Sequence, residues 1–95
     1  MKIQTIKTDN YVVYLEDDHG FTFIHCDCDR WSKNVKNELL SDLNVLFDAL
    51  KREVYAIHEI DDVKHRKFLR ICGFDYFKDF VGTDGKLRQI FVRRR

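Results

Sequence analysis

The sequence predicts one α/β domain over residues 1–95, with a mixed sheet and the element order β-β-β-α-β-α-β-β. Three observations support this fold class. A long amphipathic segment separates β-rich stretches, a shorter capped segment ends at a glycine, and two further β-rich stretches close the chain. Because a strand–helix–strand crossover joins parallel neighbours, we expect a central parallel strand pair within an otherwise antiparallel sheet.

The first 28 residues predict three strands. Residues 2–7 form the weakest of the three candidates. Residues 11–15 and 21–28 are rich in β-branched and aromatic side chains, which favour strands. The segment 17–20, Asp-Asp-His-Gly, predicts a turn between them because its glycine can adopt a positive φ.

A long helix is the most strongly indicated element. Ser32 is a suitable N-cap residue, since its hydroxyl can accept a hydrogen bond from a first-turn amide. Apolar residues then recur at intervals of four, four, three and four along the segment, with two more on the same face. The stripe consists of Val35, Leu39, Leu40, Leu43, Leu46, Phe47 and Leu50.

The second half of the chain predicts a strand, a short helix and a hairpin. Residues 54–60 are mostly apolar, which suits the interior of a sheet. Asp61 or Asp62 is the expected N-cap of a helix that begins near Val63 and ends at Gly73. Residues 75–81 then form a strand that turns through 82–85 into the last strand.

The composition is that of an ordinary globular domain, with 44% hydrophobic and 35% charged residues. No apolar run is long enough to cross a bilayer, and the first residues lack the apolar core of a signal peptide, so we expect a cytoplasmic protein that does not contact membranes. The three cysteines are expected to be reduced.

Charge is distributed unevenly along the chain. Residues 1–50 carry five Lys or Arg against nine Asp or Glu, whereas residues 51–95 carry twelve against seven. A basic half could contact nucleic acid, but acidic residues interrupt it. We therefore favour a solvated surface over a nucleic-acid interface.

The helix ending in Gly73-Phe74 and leading into a hairpin resembles the C-terminal part of the GNAT superfamily of acyl-CoA-dependent N-acyltransferases. The resemblance covers residues 11–92 and implies a compact GNAT-like mixed sheet. Three short segments resemble more specifically the small GNAT-like proteins of tailed phages. These are Arg30-Trp31, Phe68-Leu69-Arg70 and Asp84-Gly85.

The resemblance implies where acetyl-CoA could bind. In the family, the pyrophosphate is held by amides at the N-terminus of the long helix, and the pantetheine arm passes between the two parallel strands. Here the small positions of the family's loop are occupied by Asn34 and Lys36, and the leading basic position by Trp31. The implied cofactor contacts are Asp27, Cys28, Asp29, Ser32, Lys33, Asn34, Val35 and Lys36.

The catalytic residues are less well indicated. Active members commonly carry a tyrosine four residues before the helix-ending glycine, where this chain has Leu69, which cannot donate a proton. Glu59 and His58, at the end of the second parallel strand, are the candidates for a general base acting on an amine. The alternative is that they only form a solvated strand end.

The segment from His25 to Asp29, His-Cys-Asp-Cys-Asp, superficially resembles a metal-binding motif. On a strand, however, Cys26 and Cys28 point to one face and the other three residues to the opposite face. Zinc requires about four converging ligands, and no Cys-x-x-Cys pair exists elsewhere in the chain to complete such a site. We therefore predict no metal site, and instead expect buried thiols under the long helix.

Two functional hypotheses follow from these observations. The missing glycines and tyrosine favour a degenerate GNAT-fold protein that acts by binding a protein partner, as a phage virion or morphogenesis component or a host-directed factor. Such a protein would be found in the host cytoplasm or the virion. The alternative is a minimal acetyl-CoA-dependent N-acetyltransferase.

Overall fold

Six strands and two helices follow one another in the computed structural model, which describes residues 1–94. The predicted element order is confirmed. The strands and helices are β1 (Lys2–Lys7), β2 (Tyr11–Asp18), β3 (Phe21–Cys28), α1 (Lys33–Leu50), β4 (Val54–His58), α2 (Val63–Ile71), β5 (Asp75–Val81) and β6 (Leu87–Arg93).

The strands form one mixed sheet in the order β1-β2-β3-β4-β6-β5. The neighbours are antiparallel except β3 and β4, which form the predicted central parallel pair. β2 and β3 pair along their whole length, but the parallel pairing is recorded at Phe23 opposite Tyr55, near the start of each strand. The C-terminal halves of β3 and β4 are therefore free to separate.

The core lies between one face of the sheet and the two helices. Tyr11 and Val13 of β2, together with Ala56 of β4, contribute alternate side chains to this face, as expected for a half-buried sheet. The apolar stripe of α1 packs against them as predicted, and the Tyr11 hydroxyl donates a hydrogen bond to Asp42. The fully buried part of the stripe is Val35, Leu39, Leu43 and Phe47.

Neither helix covers the opposite face of the sheet. Tyr55 lies on this face, with Phe21, Phe23 and Phe77 in aromatic contact around it at centroid distances of 5.2 to 5.8 Å. Phe21 and Phe77 are exposed. We call these four residues the aromatic cluster of the open face.

Both helices have capped N-termini. The Ser32 hydroxyl accepts from the Val35 amide at 3.1 Å, as the sequence predicts. Of the two candidate caps for α2, Asp62 performs the role by accepting from the His65 amide at 3.0 Å. Each helix therefore begins at the residue that follows its cap.

The end of α2 is a Schellman motif. The Phe74 amide donates to the Leu69 carbonyl and the Gly73 amide donates to the Arg70 carbonyl. Gly73 has a φ of +87°, a conformation that residues with a Cβ rarely adopt. The predicted Gly73-Phe74 end is thus confirmed, and it sets where α2 leaves the core and β5 begins.

No helix among the described residues is both long and apolar enough to cross a membrane.

Candidate functional site

A cavity of about 620 Å³ lies where β3 and β4 separate. β3 and β4 form its floor through Ile24, Cys26 and Ala56, and the buried face of α1 closes one side through Leu39 and Leu43. The first turn of α2 and the residues at its end form the other side. Its volume is within the range of clefts that hold small-molecule ligands.

The β3 wall includes two of the residues that the resemblance implies as cofactor contacts. Asp27 and Cys28 line the cavity, whereas Asp29 lies just beyond the end of the strand. The expectation that Cys26 and Cys28 are buried under α1 is wrong for Cys26, which is exposed, whereas Cys28 is half-buried and packs against the core. The reason is that β3 separates from β4 at this point, which leaves Cys26 at the cavity surface and not packed beside a β4 side chain.

Cys26 is not an activated nucleophile. Desolvation of its thiol by the surrounding cavity wall, followed by the charges of Cys28 and Asp27, raises its pKa to about 11. Burial likewise raises the pKa of Cys72 to about 12. Because the thiolate is the reactive form, neither cysteine is suited to form a covalent intermediate at neutral pH.

The remaining implied cofactor contacts occupy the start of α1. Ser32 is the N-cap, and Val35 is buried in the core. Lys33 and Asn34 are exposed and Lys36 is half-buried. None of these residues lines the cavity itself, but Trp31, which directly precedes the cap, does.

The first turn of α1 leaves backbone donors available. The Ser32 side chain and carbonyl accept from Val35 and Lys36, respectively. The Lys33 and Asn34 amides belong to the part of a helix that has no intrahelical acceptor. The turn contains no acidic residue and neither of its lysines forms an ion pair within residues 1–94, so its positive charge is uncompensated.

Trp31 joins the start of α1 to α2. Its ring contacts Phe68 edge-to-face with a centroid distance of 5.4 Å, and both residues line the cavity. Leu69 also lines it, so the position where active enzymes carry tyrosine faces the cavity with an apolar side chain. Leu69 therefore cannot act as the acid that protonates the leaving thiolate.

Two histidines, His58 and His65, form a pair beside Leu69 and Phe68. The Nδ1 atoms of His58 and His65 are 2.9 Å apart and the rings stack with centroids 5.1 Å apart. His65 lines the cavity, whereas His58 is fully buried against Phe91. Within residues 1–94, His58 Nε2 has no hydrogen-bond partner.

Burial lowers the pKa of both histidines. Repulsion from His65 when that ring is protonated, and from Arg66, lowers the pKa of His58 further, and the carboxylates of Asp62 and Glu59 act in the opposite direction. For His65 the opposing carboxylate is Asp62. Both rings are therefore neutral at pH 7, so one nitrogen of the close pair donates and the other accepts.

Glu59, the other candidate base, is held away from the cavity. Its carboxylate accepts a hydrogen bond from Arg88 Nε at 2.7 Å, and Arg88 also binds Asp84. Glu59 does not line the cavity. Of the two candidates from the sequence, only His58 is connected to the cavity, and it is connected through His65.

His65 was not identified from the sequence. It lies four residues before Leu69, so the two share one face of α2, and that spacing is a signal the sequence contains. Its contact with His58 depends on the packing of α2 against β4, which the sequence does not specify. Among residues 1–94 no group of three potential metal ligands occurs.

No protein-family model matches the sequence, and no curated protein matches it significantly. Solved structures, however, share its fold. A crystal structure of a candidate phosphinothricin N-acetyltransferase superposes with a TM-score of 0.73 at 19% identity, covering 90% of this chain and 63% of that one.

Two further structures give the same result. A candidate GNAT-family acetyltransferase from Bordetella pertussis has a TM-score of 0.74 at 12% identity, over 88% of this chain and 56% of that one. Ribosomal-protein-S5-alanine acetyltransferase from Vibrio fischeri has a TM-score of 0.71 at 12% identity, over 90% and 54%. The fold is thus that of GNAT-family acetyltransferases, and this chain spans between 54% and 63% of their lengths.

Proposed function

We propose that the protein is an acyl-CoA-dependent N-acyltransferase that uses acetyl-CoA. The observation that supports this most is the cavity between the separated ends of β3 and β4, beside the Lys33 and Asn34 amides at the start of α1. A degenerate protein that only binds a partner has no need to keep this space open. The similarity to acetyltransferase structures supports the same choice.

The residues present suit the two ends of an acyl-CoA molecule. The cavity walls are apolar at Ile24, Leu39 and Leu43, which suits an uncharged pantetheine arm. At the start of α1, the Lys33 and Asn34 amides, the helix dipole and two lysines suit a pyrophosphate. When bound, acetyl-CoA supplies the activated acetyl group.

The loop differs from the glycine-rich form of the family in a way that the structure explains. Asn34 lies in the helix and is not among the residues with positive φ, so it does not imitate a glycine. Instead of close backbone approach, this site offers the charges of Lys33 and Lys36. We infer that phosphate is held more by side-chain charge than by a tight amide cradle.

We propose that the acceptor is a primary amine. The named activities of two structural neighbours, on phosphinothricin and on the alanine of a ribosomal protein, suggest a first panel of acceptors. This panel consists of phosphinothricin and a peptide with an N-terminal alanine. Acetylation is detected by the product's mass, because free thiols of the protein would interfere with a thiol-reactive dye.

A second candidate function is binding of a protein partner through the open face, in the manner of a phage virion component or host-directed factor. The exposed Phe21 and Phe77 of the aromatic cluster favour it, since exposed aromatic side chains are typical of interfaces. A nucleic-acid partner is less favoured, because Asp and Glu interrupt the basic half of the chain.

The only tryptophan of the chain lines the cavity, which gives a direct test. Titration with acetyl-CoA should change the emission of Trp31 in a saturable manner. At a ligand concentration 100 times Kd, the free energy of unfolding should rise by about 2.7 kcal/mol. The same titration yields the Kd for acetyl-CoA, which can then be compared between variants.

A blocking variant locates the binding. Cys26→Phe places a ring at the cavity surface and should abolish the response, whereas Val45→Phe on the exposed side of α1 should leave it unchanged. If millimolar acetyl-CoA changes neither the emission nor the stability of the unsubstituted protein, the acyltransferase proposal is wrong. That result would favour the partner-binding function.

A further inference from the structure

Leu69 gives the cavity wall no group that can exchange a proton, but the pair formed by His58 and His65 does. We propose that His65 Nε2 is the proton acceptor for the amine and that His58 is the positioning residue that orients it. This inference rests on the proposed acyltransferase function. It is carried by the 2.9 Å contact between the two Nδ1 atoms and by the position of His65 in the cavity wall.

Placement of His65 on α2 directs its ring to the cavity. The Asp62 side chain accepts from the His65 amide, which fixes the residue at the first turn of the helix. Leu69 follows one turn later on the same face, and both line the cavity. Since Nδ1 is engaged by His58, Nε2 is the ring nitrogen of His65 that remains for a ligand.

The close pair restricts the tautomers. When His65 Nδ1 donates to His58 Nδ1, His65 Nε2 carries a free lone pair at the cavity and His58 carries its hydrogen on Nε2. In the opposite arrangement His65 Nε2 carries the hydrogen and cannot accept a proton. We assign the first tautomer to the reactive protein.

The buried pair can hold one extra proton but not two. A second would place two N–H groups against each other at 2.9 Å. The added charge remains on His65, because His58 is fully buried, whereas His65 is only half-buried and its backbone amide is bonded to the Asp62 carboxylate. Charged groups on other sides are Arg66 and Glu59 near His58, and Lys64 and Asp27 at the cavity.

This arrangement has a cost at His58 Nε2, a buried donor that has no hydrogen-bond partner within residues 1–94. A buried polar atom without a hydrogen bond lowers stability, and such atoms are rare in folded proteins. A leucine would fill the same space without that cost. A histidine at this position is explained if its Nδ1 is needed as the acceptor that holds the His65 ring.

The proposed step balances in protons and bonds. His65 Nε2 takes one proton from the substrate ammonium, and the resulting amine forms a C–N bond with the acetyl carbon as the C–S bond breaks. The nitrogen loses a second proton to water, and His65 returns its proton to the leaving sulfur. The net change is conversion of an ammonium and a thioester into an amide, a thiol and one released proton.

Other groups at the cavity are less suited to this step. Cys26 has a pKa of about 11 and would accept a proton only as the rare thiolate. Glu59 is bound to Arg88 and lies outside the cavity. His25 lines the cavity but is bound to Glu16 through Nε2 at 2.9 Å.

The first experiment examines the free protein. Long-range ¹H–¹⁵N correlation spectra of the histidine rings should show His65 with a hydrogen on Nδ1 and none on Nε2 at pH 7.5. On acidification, the pair should take up one proton with a midpoint below the ordinary histidine value of about 6.5. A hydrogen on His65 Nε2 at pH 7.5, or two independent titrations, would overturn the inference.

The second experiment uses variants with acetyl-CoA and the acceptor panel. His65→Gln should lower the acetylation rate by a factor on the order of 100 or more while Kd for acetyl-CoA stays the same. His19→Gln, in the exposed turn between β2 and β3, is the matched control and should change neither. Retention of the rate in His65→Gln would overturn the role of His65.

The positioning role of His58 is tested by comparing a variant that cannot accept a hydrogen bond from His65 with one that can. His58→Leu should reduce the rate and change the pH profile, whereas His58→Asn, whose side-chain oxygen can accept from His65 Nδ1, should recover much of both. In the unsubstituted protein the acetylation rate should rise with pH and reach a plateau above the pKa of His65, because only neutral His65 accepts a proton. Equal behaviour of the two His58 variants would overturn the positioning role.

The outcomes separate the inference from the function on which it rests. Failure of acetyl-CoA to bind the unsubstituted protein, seen by Trp31 emission, would overturn both. Binding and transfer that do not depend on His65 would overturn only the inference.

Discussion

Lys33 and Lys36 lie in the first turn of α1, at its N-terminus, where positive charge is least favourable to the helix. The helix dipole is positive at this terminus, and no acidic residue compensates it. Acidic side chains are the ones that stabilise a helix at this terminus. An anion bound at this position would offset the repulsion, which is why these two residues matter to the proposed phosphate contact.

Reversing the charge of Lys33 should therefore affect stability and binding in opposite directions. Lys33→Glu should raise the free energy of unfolding by roughly 0.3–1 kcal/mol through the helix dipole. The same change should weaken acetyl-CoA binding by about tenfold, through loss of a charge-assisted contact of about 1.5 kcal/mol. Urea unfolding and the Trp31 titration measure the two effects.

The matched control is Lys86→Glu, which makes the same change of net charge in the exposed turn between β5 and β6. It should alter acetyl-CoA binding little. Equal weakening in both variants would mean that net charge, not the start of α1, determines the affinity.

Residues of the site differ in how far the sequence predicts them. Asp27 and Cys28 could be placed because strand ends are readable from composition, and both line the cavity. His65 could not, because its contact with His58 joins α2 to β4 across the core. The exposure of Cys26 was also missed, since the separation of β3 from β4 is a property of the sheet and not of the segment.

At the scale of elements, the end of α2 sets one wall of the cavity. Gly73 at φ +87° allows the Schellman motif, and Phe74 then packs against Phe47 of α1 with ring centroids 5.7 Å apart. This element was well predicted from its glycine and caps. Only the choice between Asp61 and Asp62 required the structure.

Gly73→Ala should destabilise the protein by about 1–2 kcal/mol, because a residue with a Cβ is strained at this φ. A Cβ would be 3.6 Å from Arg93 Nε, an ordinary contact, so the cost comes from the backbone. We expect acetyl-CoA binding to weaken as well, since α2 would shift. Chemical unfolding and the Trp31 titration measure these outcomes.

Gly20→Ala provides the comparison, because Gly20 has a similar φ of +86° in an exposed turn remote from the cavity. It should be destabilising but should leave acetyl-CoA affinity unchanged. If Gly73→Ala also leaves the affinity unchanged, the end of α2 does not position the cavity wall.

At the scale of the whole molecule, the sheet is asymmetric. Both helices, the cavity and the histidine pair lie on one face, and the aromatic cluster lies on the other. The chain spans 54% to 63% of the lengths of the three structural neighbours described above. The two faces correspond to the two candidate functions, catalysis on the helix side and partner binding on the open side.

Mapping acetyl-CoA onto the backbone by ¹H–¹⁵N spectra tests the central proposal most directly. We predict shifts of the amides of 26–28 at the end of β3 and of 33–36 at the start of α1, with those around Phe21 and Phe77 unchanged. Absence of shifts at millimolar acetyl-CoA, or shifts confined to the aromatic cluster of the open face, would contradict it.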